Sequence, residues 1–168
     1  ENNDLSNAAG TIRVFEMLPY FSGRSVYESV YMQATILAPA AFFMQALISK
    51  TPSCPFPNYK CTNYKMALVE NYLDLMGINQ LIVITPEVKA QADAAAFLTK
   101  KGDFGVWHVY ESIKQTSLVN VLHRLPTSIP IKEYKTVFYE WFRTFVPDKG
   151  FLIVDRDGIS EDKSIPAS

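Results

Sequence analysis

The sequence predicts an α/β fold, a single sandwich domain with a mixed or mostly parallel sheet over residues 11–159. Residues 80–110 run strand, helix, strand, the order of a crossover between parallel strands. A further apolar strand closes the domain at 151–155, and apolar stripes at helical spacing occupy 63–76 and 131–146. The polar stretches 1–10 and 160–168 read as a flexible lead-in and a tail outside the fold. With 168 residues, 48% of them hydrophobic and 20% charged, the chain is too apolar for disorder and long enough to hold a core without staples.

Residues 11–18, TIRVFEML, bring β-branched and aromatic side chains in near alternation and stop at Pro19, which predicts a first strand. Ser22, Gly23 and Arg24 then turn the chain into the uncharged run 31–48. That run is interrupted by Gln33, Thr35, Pro39 and Gln45. It falls short of the about 20 apolar residues a spanning helix requires, so it is read as a buried helix or helix pair, separated or kinked at Pro39. Three prolines make 51–60, TPSCPFPNYK, an irregular loop. Met66, Val69, Leu73 and Met76 share one helical stripe, with Gly77 placed for a left-handed cap.

The continuous apolar run 80–84 predicts a strand covered on both faces. Thr85, Pro86 and Glu87 supply an N-cap hydroxyl, a first-turn proline and an early carboxylate, from which an alanine-rich helix is expected to reach Lys100. The basic, glycine-terminated Lys100, Lys101 and Gly102 end it, and 104–110, FGVWHVY, follow as a strand. Residues 112–125 are read as helical and 126–130 as a loop. Tyr134, Val137, Phe138, Trp141, Phe142 and Phe145 form the stripe of an amphipathic helix whose aromatics belong to a core rather than to a cofactor site.

The 16 basic and 17 acidic residues leave a formal net charge of -1 and form no basic cluster, which argues against nucleic acid as a partner. His108 and His123 lack metal-ligand spacing, and neither G-x-G-x-x-G nor a phosphate loop occurs, so no metal or cofactor is expected. The chain begins at Glu1 without a basic-then-apolar leader, and localisation stays open.

Reactive chemistry concentrates at Cys54 and Cys61. Two cysteines are too few for a disulfide framework, and the six residues between them leave either one bridge or two thiols open. Cys61 is expected near a helix start, where the dipole and free amides stabilise a thiolate, although this spacing departs from the two-residue dithiol motif. Thr51-Pro52-Ser53-Cys54 resembles the T-P-[TS]-C end of the peroxiredoxin active-site motif, and Ala38-Pro39-Ala40-Ala41-Phe42 is similar to the segment before it. Residues 151–158 resemble the late strand and hairpin of redoxin domains.

The resemblance implies a thioredoxin-like fold in which Cys54 attacks peroxide and Thr51 orients it. Leu47 stands where that family has a proline, and no arginine maps onto the one that lowers the thiol pKa. Asp155-Arg156-Asp157-Gly158 also resembles the first motif of haloacid-dehalogenase-type phosphatases; only ten residues follow it, and it is read as a polar β-turn. Aromatic content is high and no catalytic constellation is complete. The leading expectation is therefore a non-catalytic binding or assembly domain, with a protein partner or a second copy, and the alternative is a thiol-dependent oxidoreductase using Cys54 or Cys61.

Overall fold

A computed structural model describes residues 1, 8–11, 14–27, 37–114, 126–145 and 150–155. Helices and strands of both kinds are present, as the α/β expectation requires, and the chain divides into two compact units, Glu1–Leu118 and Val119–Ser168.

The first unit contains a 3-10 turn Val14–Met17, α1 Leu18–Ser22, α2 Ala38–Leu47, α3 Met66–Met76, β1 Gln80–Val83, α4 Pro86–Ala94, β2 Leu98–Phe104 and β3 Trp107–Ser112. The strand expected at 11–18 is not formed among its described residues. Pro19 lies in the first turn of α1, where its missing N–H costs nothing, so it starts a helix instead of stopping a strand. Pro39 holds the same place in α2, all of whose residues except Pro39 are buried. The part of the 31–48 run before Leu37 lies outside the described residues. Among those described, no helix is long and apolar enough to cross a membrane.

Helix α3 confirms the stripe: Met66, Val69 and Leu73 are buried, joined by Tyr72, whose ring meets Phe43 of α2 at 5.6 Å. Gly77 ends the helix at φ 65°, a left-handed conformation that a side chain disfavours. Beyond it, Leu81 and Val83 of β1, Val88 and Ala92 of α4 and Tyr110 of β3 continue the core. Burying each of Leu81, Val83 and Val88 contributes about 1.5–3 kcal/mol.

The 80–110 region departs from the expected single crossover. Helix α4 stops at Ala94, and Lys100, Lys101 and Gly102 belong to β2, which pairs antiparallel with β3 around Gly105 at φ 59°. The sheet order is β1-β3-β2, with β1 also antiparallel to β3. Thus β1 and β2 are parallel, as a strand-helix-strand unit demands, but β3 occupies the slot between them. Helix propensity is worth only tenths of a kcal/mol per residue, so ladder formation overrides the alanine-rich signal after residue 94. A bulge between Lys100 and Gly102 and two lysines mark β2 as an edge strand.

Thr85 is the N-cap residue of α4, as expected, but its hydroxyl does not cap the helix. It donates to Glu1 Oε1 at 2.6 Å, while the Ile84 and Thr85 amides donate to Glu1 Oε2 at 2.8 and 3.0 Å. A carboxylate thus supplies the negative charge at this helix start. Glu1 is buried, and its amino group donates to the Ile82 carbonyl.

The second unit contains β4 Thr127–Pro130, α5 Tyr134–Arg143 and β5 Leu152–Asp155. Residues 126–130, expected as a loop, supply a strand that pairs in parallel with β5 from Thr127↔Leu152 to Pro130↔Asp155. Pro130 is tolerated because it is the last residue of a strand in a two-stranded ladder. The last strand therefore pairs with β4, in a sheet separate from β1-β3-β2, and leaves Ile153 and Val154 exposed where a covered strand is expected. Helix α5 keeps its aromatic stripe, with Tyr139 and Phe142 buried and Trp141 Nε1 donating to the Gly150 carbonyl at 2.9 Å. The helix expected at 112–125 and the turn after Asp155 lie almost entirely outside the described residues.

Candidate functional site

Cys54 and Cys61 meet in a disulfide, with their Cα atoms 5.8 Å apart. The intervening CPFPNYKC ring lies between α2 and α3 and is built by local rules. Pro57 and Asn58 occupy the central positions of a turn in which the Tyr59 amide donates to the Phe56 carbonyl at 3.1 Å. Phe56 points back to the core, its ring 5.5 Å from Phe42 of α2 and 6.2 Å from Tyr59. Phe56 and Tyr27 cover a small cluster of Ala41 and Phe42, and burial pushes the Tyr27 hydroxyl up to about 12. The Lys65 amide donates to the Leu47 carbonyl, tying the end of the loop to the end of α2.

Thr51, Cys54 and Cys61 are all exposed. Cys61 is not at a helix start: α3 begins at Met66, because Thr62 to Lys65 continue the irregular loop. The dipole of α3 fades within its first turn and gives no basis for thiolate stabilisation five residues upstream.

A second constellation, which sequence reading treated only as a histidine on an apolar strand, links α4 to the β2–β3 hairpin. Tyr110 donates to Asp93 Oδ1 at 2.7 Å; His108 Nδ1 lies 3.4 Å from the Tyr110 hydroxyl, and its Nε2 lies 3.3 Å from Asp103 Oδ1. Lys100 pairs with Asp103 at 2.8 Å, and Lys89 donates to the Val106 carbonyl. Burial, then the Asp93 contact, push the Tyr110 hydroxyl upward; the Lys100 hydrogen bond holds Asp103 below the usual carboxylate range. The i, i+2 spacing of His108 and Tyr110 placed them on one face, but Asp93 and Asp103 join only through the fold. Each side chain here is satisfied by another or, for Lys89, by a backbone carbonyl, which makes a hairpin-to-helix clasp. Among the described residues, no group of three or more His, Cys, Asp or Glu could hold a metal ion.

A third feature is apolar. Tyr20, Phe21 and Phe104 are 80%, 76% and 64% exposed, and Met17 and Val106 are also exposed. Phe15 of the 3-10 turn meets Trp107 edge-on at 5.4 Å, bringing that turn to the hairpin, and Tyr20 and Phe21 stack edge-on at 5.1 Å. The aromatics were legible as composition, but the Phe15–Trp107 contact was not, since it joins residues about 90 apart. Comparison with protein-family models, curated proteins and solved structures returns no match.

Proposed function

We propose that the chain is a non-catalytic binding or assembly domain, whose partner is a protein or a second copy. The observation that carries this is the exposure of Tyr20, Phe21 and Phe104 on the two segments that the Phe15–Trp107 contact joins. Large apolar side chains gathered at a surface, unlike scattered ones, mark contact sites. Sedimentation of the chain against a Phe21→Ser/Phe104→Ser variant tests it, with apolar-dye binding measured in parallel. Concentration-dependent mass and dye binding that both fall in the variant, with circular dichroism unchanged, support the surface. A chain that stays monomeric and binds dye no better than the variant removes it.

A second interpretation is thiol-dependent oxidoreductase chemistry, peroxiredoxin-like, at Cys54 or Cys61 with Thr51 as the orienting hydroxyl. It is favoured by the exposure of both half-cystines, which a partner thiol can reach. The thioredoxin-like topology tied to it usually places the reactive cysteine at a helix start, whereas these two stand on the loop before α3. The pH dependence of alkylation after reduction, with Cys54→Ser and Cys61→Ser singly, separates the two: an apparent pKa well below about 8.5 supports catalysis.

A further inference from the structure

The chain's only two cysteines are joined to each other, so the described protein holds no free thiol. We infer that Cys54 and Cys61 are a modification site, oxidised after synthesis into a lasting structural bridge, and that the protein works in a compartment that keeps thiols oxidised. The inference holds whether or not the aromatic run binds a partner, and it opposes a cycling, catalytic pair.

Four observations carry it. The Cα separation of 5.8 Å lies within the about 4.4–6.8 Å at which a bridge forms without moving the backbone. Pro55, Pro57 and the Phe56–Tyr59 turn restrict the ring before it closes, so the two sulfurs are brought together by the loop's own stereochemistry. Phe56, inside the ring, rests on Phe42 of α2, which couples closure of the ring to a part of the core. No helix start activates either sulfur, since α3 begins beyond the ring. These are the features of a staple. Because both half-cystines are exposed, small reductants can reach the bridge, and its persistence depends on the redox state of the surroundings.

The chemistry is thiol–disulfide exchange with an oxidant of the disulfide class, a protein disulfide or glutathione disulfide. One cysteine thiolate attacks the oxidant's disulfide, forms a mixed disulfide and releases one oxidant thiolate. The other cysteine thiolate attacks the protein sulfur of that mixed bond, closing Cys54–Cys61 and releasing the second oxidant thiolate. The protein's two thiols lose two protons and two electrons, and the oxidant gains both as two thiols.

The test uses the full chain directed to the bacterial periplasm or kept in the cytoplasm. Each sample is acid-quenched, denatured without reductant and labelled with a maleimide polymer. The periplasmic chain is expected to take no label and to resist protease several-fold longer than the cytoplasmic chain, which takes two labels. Reduction with dithiothreitol should lower the Tm of the bridged chain by on the order of 5 °C. A Cys54→Ser/Cys61→Ser variant should match the reduced chain and ignore dithiothreitol. Two labels on the periplasmic chain overturn the inference, and so does a bridged chain whose Tm and protease resistance are unchanged by reduction. If the double variant does not fold, the label count and the reduction shift on the unaltered chain still decide.

Discussion

At the scale of single residues, the polar clasp between α4 and the hairpin is the most concentrated chemistry in the first unit. Tyr110→Phe removes the donor to Asp93 and should cost about 1 kcal/mol in urea unfolding, the usual net worth of one such bond. The acidic end of the clasp sets a pH dependence. Asp103 is held below its ordinary range chiefly by Lys100, so its folded-state pKa is the lower one; its contribution is present above about pH 4 and is lost as pH falls through the depressed value. Glu87, held down first by its hydrogen bond from Lys50, behaves likewise. Replacing Asp103 by Asn should flatten the fall of the urea midpoint between pH 5 and pH 3 relative to the unaltered chain. An identical slope would show that the exposed pair contributes nothing measurable. None of these partners was legible beforehand: a carboxylate's neighbour across a hairpin depends on register, and a one-residue slip sends the side chain to the other face.

Among the elements, helices were read best. The stripe and cap of α3 and the aromatic face of α5 are written within a few turns of chain, and the structure keeps both. Phe142 is 1% exposed at the centre of the α5 stripe, and Phe142→Ala should cost about 3–5 kcal/mol and abolish protection of the α5 amides in hydrogen exchange. Gly77→Ala should cost on the order of 1 kcal/mol through its left-handed φ alone, since open space surrounds a methyl group there. Strands were read less well. Residues 80–83 and 152–155 are strands as expected, but 11–18 carries a helical turn, the strand residues 98–100 read from sequence as the end of a helix, and 127–130 as a loop. Alternation and apolar runs mark a segment that can pair; whether it does depends on a partner elsewhere. Pro19 shows the ambiguity, since the same residue ends a strand or begins a helix.

For the whole molecule, the expected single domain and the two compact units make different predictions about cooperativity, and the two tryptophans can report them. Trp107 lies in Glu1–Leu118 and Trp141 in Val119–Ser168, so a Trp141→Phe variant follows the first unit by fluorescence and Trp107→Phe the second. The second unit is the smaller and should melt at the lower urea concentration, because a small unit buries a smaller share of its surface. Coincident midpoints would mark one cooperative domain. The sequence by itself determined the α/β class, the helices of 66–76 and 134–143, the start at Pro86 and the cap at Gly77, and the Cys54–Cys61 loop as the place of interest. Those features arise from interactions among residues a few positions apart, which any window of sequence contains. Only the tertiary structure decided that β3 lies between β1 and β2, that the final strand pairs with β4, that the cysteines close a ring away from any helix start, and that Phe15 and Trp107 meet. Each of these is a choice among partners distant in sequence or among loop closures, and it is made by the balance of burial, ladder hydrogen bonds and closure entropy over a whole unit rather than by any one residue.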